Sequence, residues 1–259
     1  MNFWKMTGGG NDFILIKDGP GIRYSAIARK LCDRKFGAGA DGLLAVKKNG
    51  IFLSVRYFNS DGSEAFCGNG SRCSAFWAWK SGLSGKKIFL KTAAGTLSAR
   101  ILSSGRVKLE MPLPGLIKLF IKGDFSRRFK EVHFANTGVP HAVVIVEDEE
   151  KIDVFTEGKK IRMDRFFSPD GTNVNFAAFR NGKIFVRTYE RGVEDETLSC
   201  GTGIAACAAI FWKLNKVVSP VKLVSRSKAE FKVDIEGKEK IEKLWAEGPA
   251  TIVFKGETV

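Results

Sequence analysis

The chain contains a duplicated segment, and this duplication restricts the possible fold more than any other feature. Residues 56–77 and 187–212 each run from a short strand-like stretch through an acidic loop to a Cys-Gly-x-Gly turn and an apolar helical stretch. The first cysteines of the two copies, Cys67 and Cys200, lie about half the chain length apart. Repetition on this scale predicts two similar halves, each built around a helix that begins at its Cys-Gly-x-Gly turn.

Outside the repeats, the apolar pattern mostly indicates strands. Strands are predicted at residues 13–16, 43–46, 51–58, 87–91, 96–102, 107–111, 132–135, 142–146, 172–179, 183–189, 221–224, 230–235 and 250–254. Helical spacing predicts helices at 24–33, 71–81 and 203–214. We therefore expect an α/β (α+β) protein of two pseudo-symmetric domains. Each domain is a mostly antiparallel sheet wrapped around a central helix, with the active site in the interdomain cleft.

The stretch from Pro112 to Gly115 is the best candidate for a linker between the halves, because proline and glycine interrupt regular structure there. We expect an N-terminal half at 1–112 that contains Cys67 and a C-terminal half at 113–247 that contains Cys200. The last segment, 248–259, is expected to form a strand that returns to the N-terminal half.

The composition restricts the partners. The 259-residue chain carries a net charge of +14, but its basic residues are scattered and only residues 127–130 form a compact cluster. Without a nucleic-acid-binding motif, this pattern indicates a solvated exterior, with no nucleic-acid or membrane partner. The apolar stretches are too short to cross a bilayer and the N-terminus lacks a signal pattern, so a cytoplasmic protein is expected.

The cysteines divide into two kinds. The chain has five cysteines and two histidines, without a Cys-x-x-Cys pair, which argues against a disulfide framework and a zinc site. Cys73 and Cys207 fall within the predicted helices among alanines and aromatics, so we expect them to be buried packing residues. Cys67 and Cys200 come at helix starts, where the helix dipole stabilises a thiolate and free N–H groups bind an anion such as a carboxylate.

Two such cysteines suit the epimerisation or racemisation of a carbon acid. One group must remove the α-proton while the other returns a proton to the opposite face, and the two exchange roles in the reverse direction. Helix-terminal N–H groups that hold the carboxylate also stabilise the carbanion electrostatically. The residues therefore predict a cofactor-independent epimerase or racemase that uses Cys67 and Cys200 as its acid and base.

Motifs along the whole chain resemble those of the diaminopimelate epimerase family. They occupy residues 5–13, 39–42, 58–64, 67–70, 137–141, 171–175, 190–192 and 200–203. The resemblance implies interconversion of LL- and meso-2,6-diaminopimelate in lysine and peptidoglycan precursor synthesis. It also implies catalysis without pyridoxal phosphate or metal, and a homodimer.

The resemblance also implies roles for particular residues. Cys67 and Cys200 are the acid/base pair, and His141 and Glu190 tune the thiols. The implied substrate-binding residues are Asn11, Asn59, Gly68, Asn69, Asn173, Glu190, Arg191, Gly201 and Thr202. Of these, the residues that follow each cysteine hold the α-carboxylate through backbone N–H groups. The chain departs from the family at Val139, where many members have asparagine, and at Gly42, where some have glutamine.

Other interpretations stay open at this point. Asn11 and Asn59 also fit turns, Arg191 a surface ion pair, and His141 a buried structural histidine. The nearest functional alternative is a proline or hydroxyproline racemase of the same fold, although Glu190 and Arg191 favour a substrate with a second polar end. Further alternatives are an isomerase with an acidic residue as its base, and a non-catalytic nucleic-acid-binding protein.

Overall fold

Strands make up most of the structure, a computed structural model that describes residues 1–258. The strands are β1 (Asn2–Gly8), β2 (Asn11–Lys17), β3 (Gly42–Asn49), β4 (Phe52–Asn59), β5 (Glu64–Ala65), β6 (Lys87–Thr92), β7 (Gly95–Ile101), β8 (Val107–Glu110), β9 (Ile117–Lys118), β10 (Val132–Asn136), β11 (Pro140–Ile145), β12 (Asn173–Arg180), β13 (Lys183–Glu190), β14 (Asp195–Thr197), β15 (Val221–Ser225), β16 (Glu230–Glu236), β17 (Lys243–Gly248) and β18 (Thr251–Glu257). The α-helices are α1 (Tyr24–Leu31), α2 (Gly68–Lys80), α3 (Val154–Arg162) and α4 (Gly201–Lys213), with short 3-10 helices at Asp124–Arg127, Glu149–Lys151 and Arg165–Phe167. This strand-rich content with few helices confirms the predicted α+β class.

The chain forms two compact units. One comprises residues 1–110 together with the residues from Glu247 onward, and the other comprises residues 111–246. No helix within residues 1–258 is both long enough and apolar enough to cross a membrane.

In the first unit, strands from both ends of the chain lie side by side. β18 pairs antiparallel with β1, and β1 pairs antiparallel with β2. The order then continues with β3 parallel to β2, β4 antiparallel to β3, and β6 parallel to β4. β7 and β8 follow as antiparallel neighbours. Each parallel pair requires a crossover, and α1 and α2 lie in the two crossover connections.

The second unit repeats this pairing scheme. β10 and β11 are antiparallel, β11 and β12 parallel, β12 and β13 antiparallel, β13 and β15 parallel, and β15 and β16 antiparallel. Its crossovers contain α3 and α4. Even the short hairpins match, because Arg56 forms a two-point ion pair with Glu64 in one unit and Arg187 forms the same pair with Glu196 in the other. The sequence duplication is therefore also a duplication of topology.

The helices that follow the two cysteines lie at the centre of their units. α2 contacts β1–β4, β6–β8 and β18, while α4 contacts β10–β13, β15 and β16. The apolar face of α4 extends all round the helix, and every residue from Gly201 to Phe211 is buried, as expected of a helix enclosed by protein. In α2 the largest fully buried side chains are Trp77 and Arg72. Because each central helix is packed against the strands of its unit, the position of the cysteine at its start is also fixed.

The observed elements differ from the predicted ones in where the central helices begin and in which elements are present. Both central helices begin directly after their cysteines, two or three residues before the predicted starts at 71 and 203. The strands β1, β5, β9, β14 and β17 and the helix α3 were not predicted. In β1 the pairing with β18 shifts between Lys5 and Met6, which breaks the alternation of buried and exposed residues that identifies a strand.

Candidate active site

Cys67 and Cys200 occupy the same position in the two units, the N-cap of the central helix. Their backbones are extended, with φ and ψ of −134° and 113° at Cys67 and −119° and 111° at Cys200. Cys67 is half-buried, and Cys200 is buried. The residues that follow are Gly68 and Asn69 in one unit and Gly201 and Thr202 in the other, and N–H groups of a first helical turn have no acceptor within the helix. Each helix start can therefore hold an anion next to a thiol.

In the first unit, amide side chains link the start of α2 to the β1–β2 turn. Asn69 donates from Nδ2 to Asn11 Oδ1 at 2.6 Å, and Asn11 donates from Nδ2 to Asp41 Oδ2 at 2.9 Å. The fully buried Arg72 donates to Asn69 Oδ1. Because a guanidinium only donates and a carboxylate only accepts, both amide orientations are determined. The structure thus brings together two of the predicted binding residues, Asn11 and Asn69.

The carboxylates of Asp12 and Asp41, near Asn11, form ion pairs with Lys5 and Arg34. Lys5 Nζ lies 2.6 Å from Asp12 Oδ2, and Arg34 Nη2 lies 2.8 Å from Asp12 Oδ1 and 2.7 Å from Asp41 Oδ1. Burial opposes the ionisation of Asp12, but hydrogen bonds and charge from Arg34 and Lys5 outweigh it and lower the pKa of this carboxyl to about 2. Asp41, which accepts from Asn11, therefore belongs to an ionised network with Asp12 and the two cations.

Asn59 lies at the end of β4, in the turn that leads to β5. Its Nδ2 donates to Ser63 Oγ at 2.9 Å, and its backbone N–H donates to the Ser63 carbonyl at 2.9 Å. Across the sheet it is the register partner of Gly42 on β3. Asn59 thus forms the turn that its sequence context also indicates, and its role in binding stays a prediction.

In the second unit, a chain of buried hydrogen bonds ends at Cys200. Thr202 Oγ1 lies 3.3 Å from Cys200 Sγ and 2.9 Å from His141 Nε2. On the other side of the imidazole ring, His141 Nδ1 lies 3.1 Å from Asn175 Nδ2. His141 and Asn175 have no solvent exposure. The structure therefore places His141, which the resemblance assigns to thiol tuning, one hydroxyl group away from Cys200.

The other predicted binding residues of this unit lie where β12 begins and β13 ends. Asn173 donates from Nδ2 to the Pro140 carbonyl at 3.0 Å and accepts from the Arg191 backbone N–H at 2.9 Å. Glu190 Oε2 accepts from Thr197 Oγ1 at 2.9 Å. Asn173 therefore connects the backbone at Arg191, next to Glu190, to strand β11, which contains His141.

The remaining cysteines are packing residues. Cys73 and Cys207 have no exposed surface, which confirms the sequence prediction, and burial raises the pKa of both thiols, that of Cys73 to about 12. Cys32 is also buried, and its pKa is raised to about 12 by desolvation. Within residues 1–258, no three His, Cys, Asp or Glu side chains cluster as a metal site requires.

Sequence reasoning missed several residues that contact the predicted site. They are Asp41, Arg72, Asn175 and Thr188. Two of them were detectable from motif context, because Asp41 lies within the motif at 39–42 and Asn175 within that at 171–175. Arg72 had a different signal, since the second copy of the repeat has Ala205 at the same position.

The two histidines predict how stability depends on pH. Burial lowers the pKa of His133 to about 4 and, together with the charge of Arg191, that of His141 to about 3. Because the unfolded chain binds these protons near pH 6.5 and the folded chain does not, protonation favours unfolding. The two histidines therefore do not change the free energy of unfolding above about pH 6.5. Between about pH 6 and 4, each histidine should lower the free energy of unfolding by about 1.4 kcal/mol per pH unit.

Urea unfolding at several pH values between 7 and 4 measures this slope. His133→Phe is the matched control, because it removes one of the two titrating groups and should remove about half of the histidine contribution. A slope that is unchanged in this variant contradicts the assignment of His133 as a neutral buried histidine. A loss of packing in the variant lowers the free energy of unfolding equally at every pH, whereas the loss of a titrating group changes its slope against pH. The comparison of slopes therefore separates the two effects.

Comparison with known proteins gives the family. A model of the diaminopimelate epimerase family matches residues 3–114 and 133–253. A diaminopimelate epimerase of Hydrogenobaculum sp. (strain Y04AAS1) is 41% identical over 272 residues, which cover 97% of this chain and 96% of the relative.

Solved structures show a similar fold at low identity. A Bacillus anthracis phenazine biosynthesis protein of the PhzF family has a TM-score of 0.78 at 16% identity, and the match covers 100% of this chain and 99% of the other. A probable proline racemase from Agrobacterium radiobacter K84 has a TM-score of 0.74 at 17% identity and coverage of 100% and 92%. These similarities concern the fold alone. From the family match and the high identity to a full-length relative, the chain belongs to the diaminopimelate epimerase family.

Proposed function

We propose that this chain catalyses the reversible interconversion of LL- and meso-2,6-diaminopimelate. Membership of the diaminopimelate epimerase family supports this reaction and makes the chain an isomerase. The proposed product serves lysine and peptidoglycan precursor synthesis, and the proposed location is the cytoplasm. The proposed assembly is a homodimer, which sedimentation equilibrium tests by measuring whether the mass is twice that of the chain.

The observation that carries the mechanism is the equivalent placement of Cys67 and Cys200 at two helix N-caps. In the proposed mechanism one cysteine, as thiolate, removes the α-proton, and the other, as thiol, donates a proton to the opposite face of the same carbon. After one turnover the thiolate has become a thiol and the thiol a thiolate, so the enzyme is ready for the reverse reaction. This scheme needs an acid and a base on opposite faces of one carbon.

The helix starts also have a proposed electrostatic role. Backbone N–H groups of Gly68, Asn69, Gly201 and Thr202 are proposed to hold the α-carboxylate, where they stabilise the negative charge that develops as the proton leaves. The side chains proposed to bind the remaining ammonium and carboxylate groups are those of Asn11, Asn59, Asn173, Glu190 and Arg191. A substrate with two amino-acid ends requires several fixed polar groups of this kind.

Isotope exchange tests the proposed reaction. When LL-diaminopimelate is incubated with the chain in D2O, the meso product should appear with deuterium at the inverted α-carbon, as measured by NMR and mass spectrometry. Deuterium enters because the donated proton comes from a thiol that exchanges with solvent. Added pyridoxal phosphate should leave the rate unchanged, because the two thiols supply both proton transfers.

L-proline and trans-4-hydroxy-L-proline serve as control substrates in the same assay. Neither has a second amino-acid end, so we expect neither to exchange its α-proton at a rate near that of diaminopimelate. Faster exchange of a proline than of diaminopimelate would contradict the proposed substrate but leave the two-cysteine mechanism standing. Exchange of neither class would contradict both.

A further inference from the structure

The two cysteines are surrounded by different residues at equivalent positions of the duplicated sheets. In the second unit, Asn175 pairs across the sheet with Thr188, and the equivalent pair in the first unit is Leu44 with Tyr57. The glycines of the central helices mark the same equivalence, because a Cβ at Gly203 would meet Asn175 and a Cβ at Gly70 would meet Leu44. Asn175, which belongs to the polar chain that leads to Cys200, thus has the apolar Leu44 as its counterpart near Cys67.

The residue of the first unit that is equivalent to His141 is also apolar. His141 is the parallel neighbour of Asn173 on β12, and Phe13 is the parallel neighbour of Gly42 on β3. His141 therefore has an aromatic hydrocarbon ring as its counterpart in the first unit. A second copy of the hydrogen-bonded chain cannot exist there.

The orientation of the Asn175 amide is determined by a backbone carbonyl. Its Nδ2 donates to the Ala142 carbonyl at 3.0 Å, and a carbonyl oxygen can only accept. Its Oδ1 accepts from Thr188 Oγ1 at 3.0 Å, which is consistent with the same orientation. The side chain of Asn175 is fully buried, so water does not compete for these groups. The nitrogen of the amide must therefore also be the atom that faces His141 Nδ1.

This orientation determines the tautomer of His141. Nδ1 faces an N–H donor at 3.1 Å, so it must be the unprotonated nitrogen that accepts. The ring is neutral, because burial and the charge of Arg191 lower its pKa to about 3. The proton of the neutral ring is therefore on Nε2, which donates to Thr202 Oγ1 at 2.9 Å.

The last link follows from the single hydroxyl proton of Thr202. Since Oγ1 accepts from His141, its own O–H is available to donate, and Cys200 Sγ lies 3.3 Å away. Thr137 also contacts this residue, because its Oγ1 donates to the Thr202 carbonyl at 2.9 Å. A sulfur that accepts a hydrogen bond is favoured as the thiolate.

We infer that Asn175 is a positioning residue that, through the tautomer of His141 and the hydroxyl of Thr202, makes Cys200 a hydrogen-bond acceptor and so favours its thiolate form. Its importance for catalysis rests on the proposed acid/base role of Cys200. The two cysteines therefore differ in the group that donates to them, which is a side-chain hydroxyl at Cys200 and the backbone N–H of Gly70, at 3.4 Å, at Cys67.

Nitrogen NMR of the chain with ¹⁵N-labelled histidine tests the tautomer directly. The chain has two histidines, and His133 is an internal reference because its Nδ1 also accepts, from the Phe120 N–H at 3.1 Å. At neutral pH both rings should give the signals of the Nε2–H tautomer. In Asn175→Leu, which places the residue of the equivalent position there, the His141 signals should change while those of His133 stay. A wild-type His141 that carries its proton on Nδ1 overturns the inference.

The second test measures the thiolate character of each cysteine. Iodoacetamide alkylation at neutral pH, followed by peptide mass spectrometry, gives separate rates for Cys200 and Cys67. Thr202→Val removes the donating hydroxyl at nearly constant volume and should slow alkylation of Cys200 about tenfold. The rate at Cys67 should stay constant, and Thr202→Ser should restore most of the rate at Cys200. Equal rates at Cys200 in the wild type and Thr202→Val overturn the inference.

Neither readout depends on turnover, so the inference and the proposed function can fail separately. A His141 protonated on Nδ1 in an active epimerase overturns the inference and leaves the function standing. The expected tautomer and alkylation rates in a chain that does not epimerise diaminopimelate support the inference and contradict the function.

Discussion

Replacing either Cys67 or Cys200 with alanine is expected to lower kcat/KM for LL-diaminopimelate epimerisation by about 10³-fold. Each substitution removes one of the two groups that move the α-proton, and a positioned acid or base contributes roughly 10²–10⁴-fold. The fold should tolerate both changes, because each cysteine caps a helix whose remaining residues provide the packing. Steady-state kinetics with both isomers as substrates measures the loss.

Cys207→Ala is the matched control, because it removes a fully buried thiol from α4, seven residues after Cys200. It should keep epimerase activity and lose about 1 kcal/mol of stability. Full activity in both Cys67→Ala and Cys200→Ala contradicts the two-cysteine mechanism.

The single variants should also differ from each other in a diagnostic way. A chain with one remaining cysteine can remove and return a proton on only one face of the carbon. Each variant should therefore incorporate deuterium into only one stereoisomer without inverting it, and the two variants should act on opposite isomers. Loss of exchange at both isomers in both variants contradicts independent action of the two thiols.

Gly203→Ala is expected to lower kcat/KM by about 10²-fold, because small displacements of reacting groups have effects of this size. A Cβ at Gly203 would lie well inside van der Waals contact with the amide oxygen of Asn175 and 3.3 Å from Cys200 Cβ. Asn175 is fixed by its bonds to Ala142 and Thr188, so it cannot move without breaking them. Kinetics together with thermal unfolding measure the loss of activity and of stability.

Gly70→Ala in the other unit is the matched comparison. There the added Cβ would meet the terminal Cδ2 of Leu44 at 2.8 Å, and a leucine methyl can shift by a rotamer change. We expect a clearly smaller loss of activity than at Gly203. An equal or larger loss at Gly70 contradicts the view that Asn175 is the rigid contact.

The duplication made the central architecture predictable from the sequence. Repeated Cys-Gly-x-Gly segments identified both central helices and placed Cys67 and Cys200 at their starts. The predicted helix starts were late, because glycine and asparagine are poor helix formers and the apolar periodicity begins only after them. In the structure each cysteine is the N-cap residue of its helix, but only the Sγ of Cys67 accepts a capping hydrogen bond, from the Gly70 N–H.

Helix α3 shows what the apolar pattern alone misses. Its N-cap, Asp153, accepts from the Thr156 N–H at 3.0 Å, and this capping signal was present in the sequence. However, its exposed Phe155 and two adjacent lysines obscure the buried stripe formed by Val154 and Ile161. Its place in the parallel crossover between β11 and β12, equivalent to that of α1, would have identified it once the repeat was aligned.

The supporting residues of the site depend on strand register, which the sequence does not specify. Asn175 reaches His141 only because β11 and β12 pair in parallel with His141 opposite Asn173. Arg72 does not depend on strand register, because it contacts Asn69 within one helix. Its burial could not be predicted, because arginine side chains are usually exposed to solvent. Residues of this kind follow from the fold and cannot be derived from spacing.

Because β18 pairs with β1, the first unit cannot be completed until residues 251–257 are available to fold. The second unit uses only residues 111–246, so it does not need β18 in order to close. As long as β18 is unpaired, the outer edge of β1 exposes backbone groups that can associate with other chains. A chain that stops at Gly248 therefore contains all the residues of the unit around Cys200, but leaves the unit around Cys67 without its last strand.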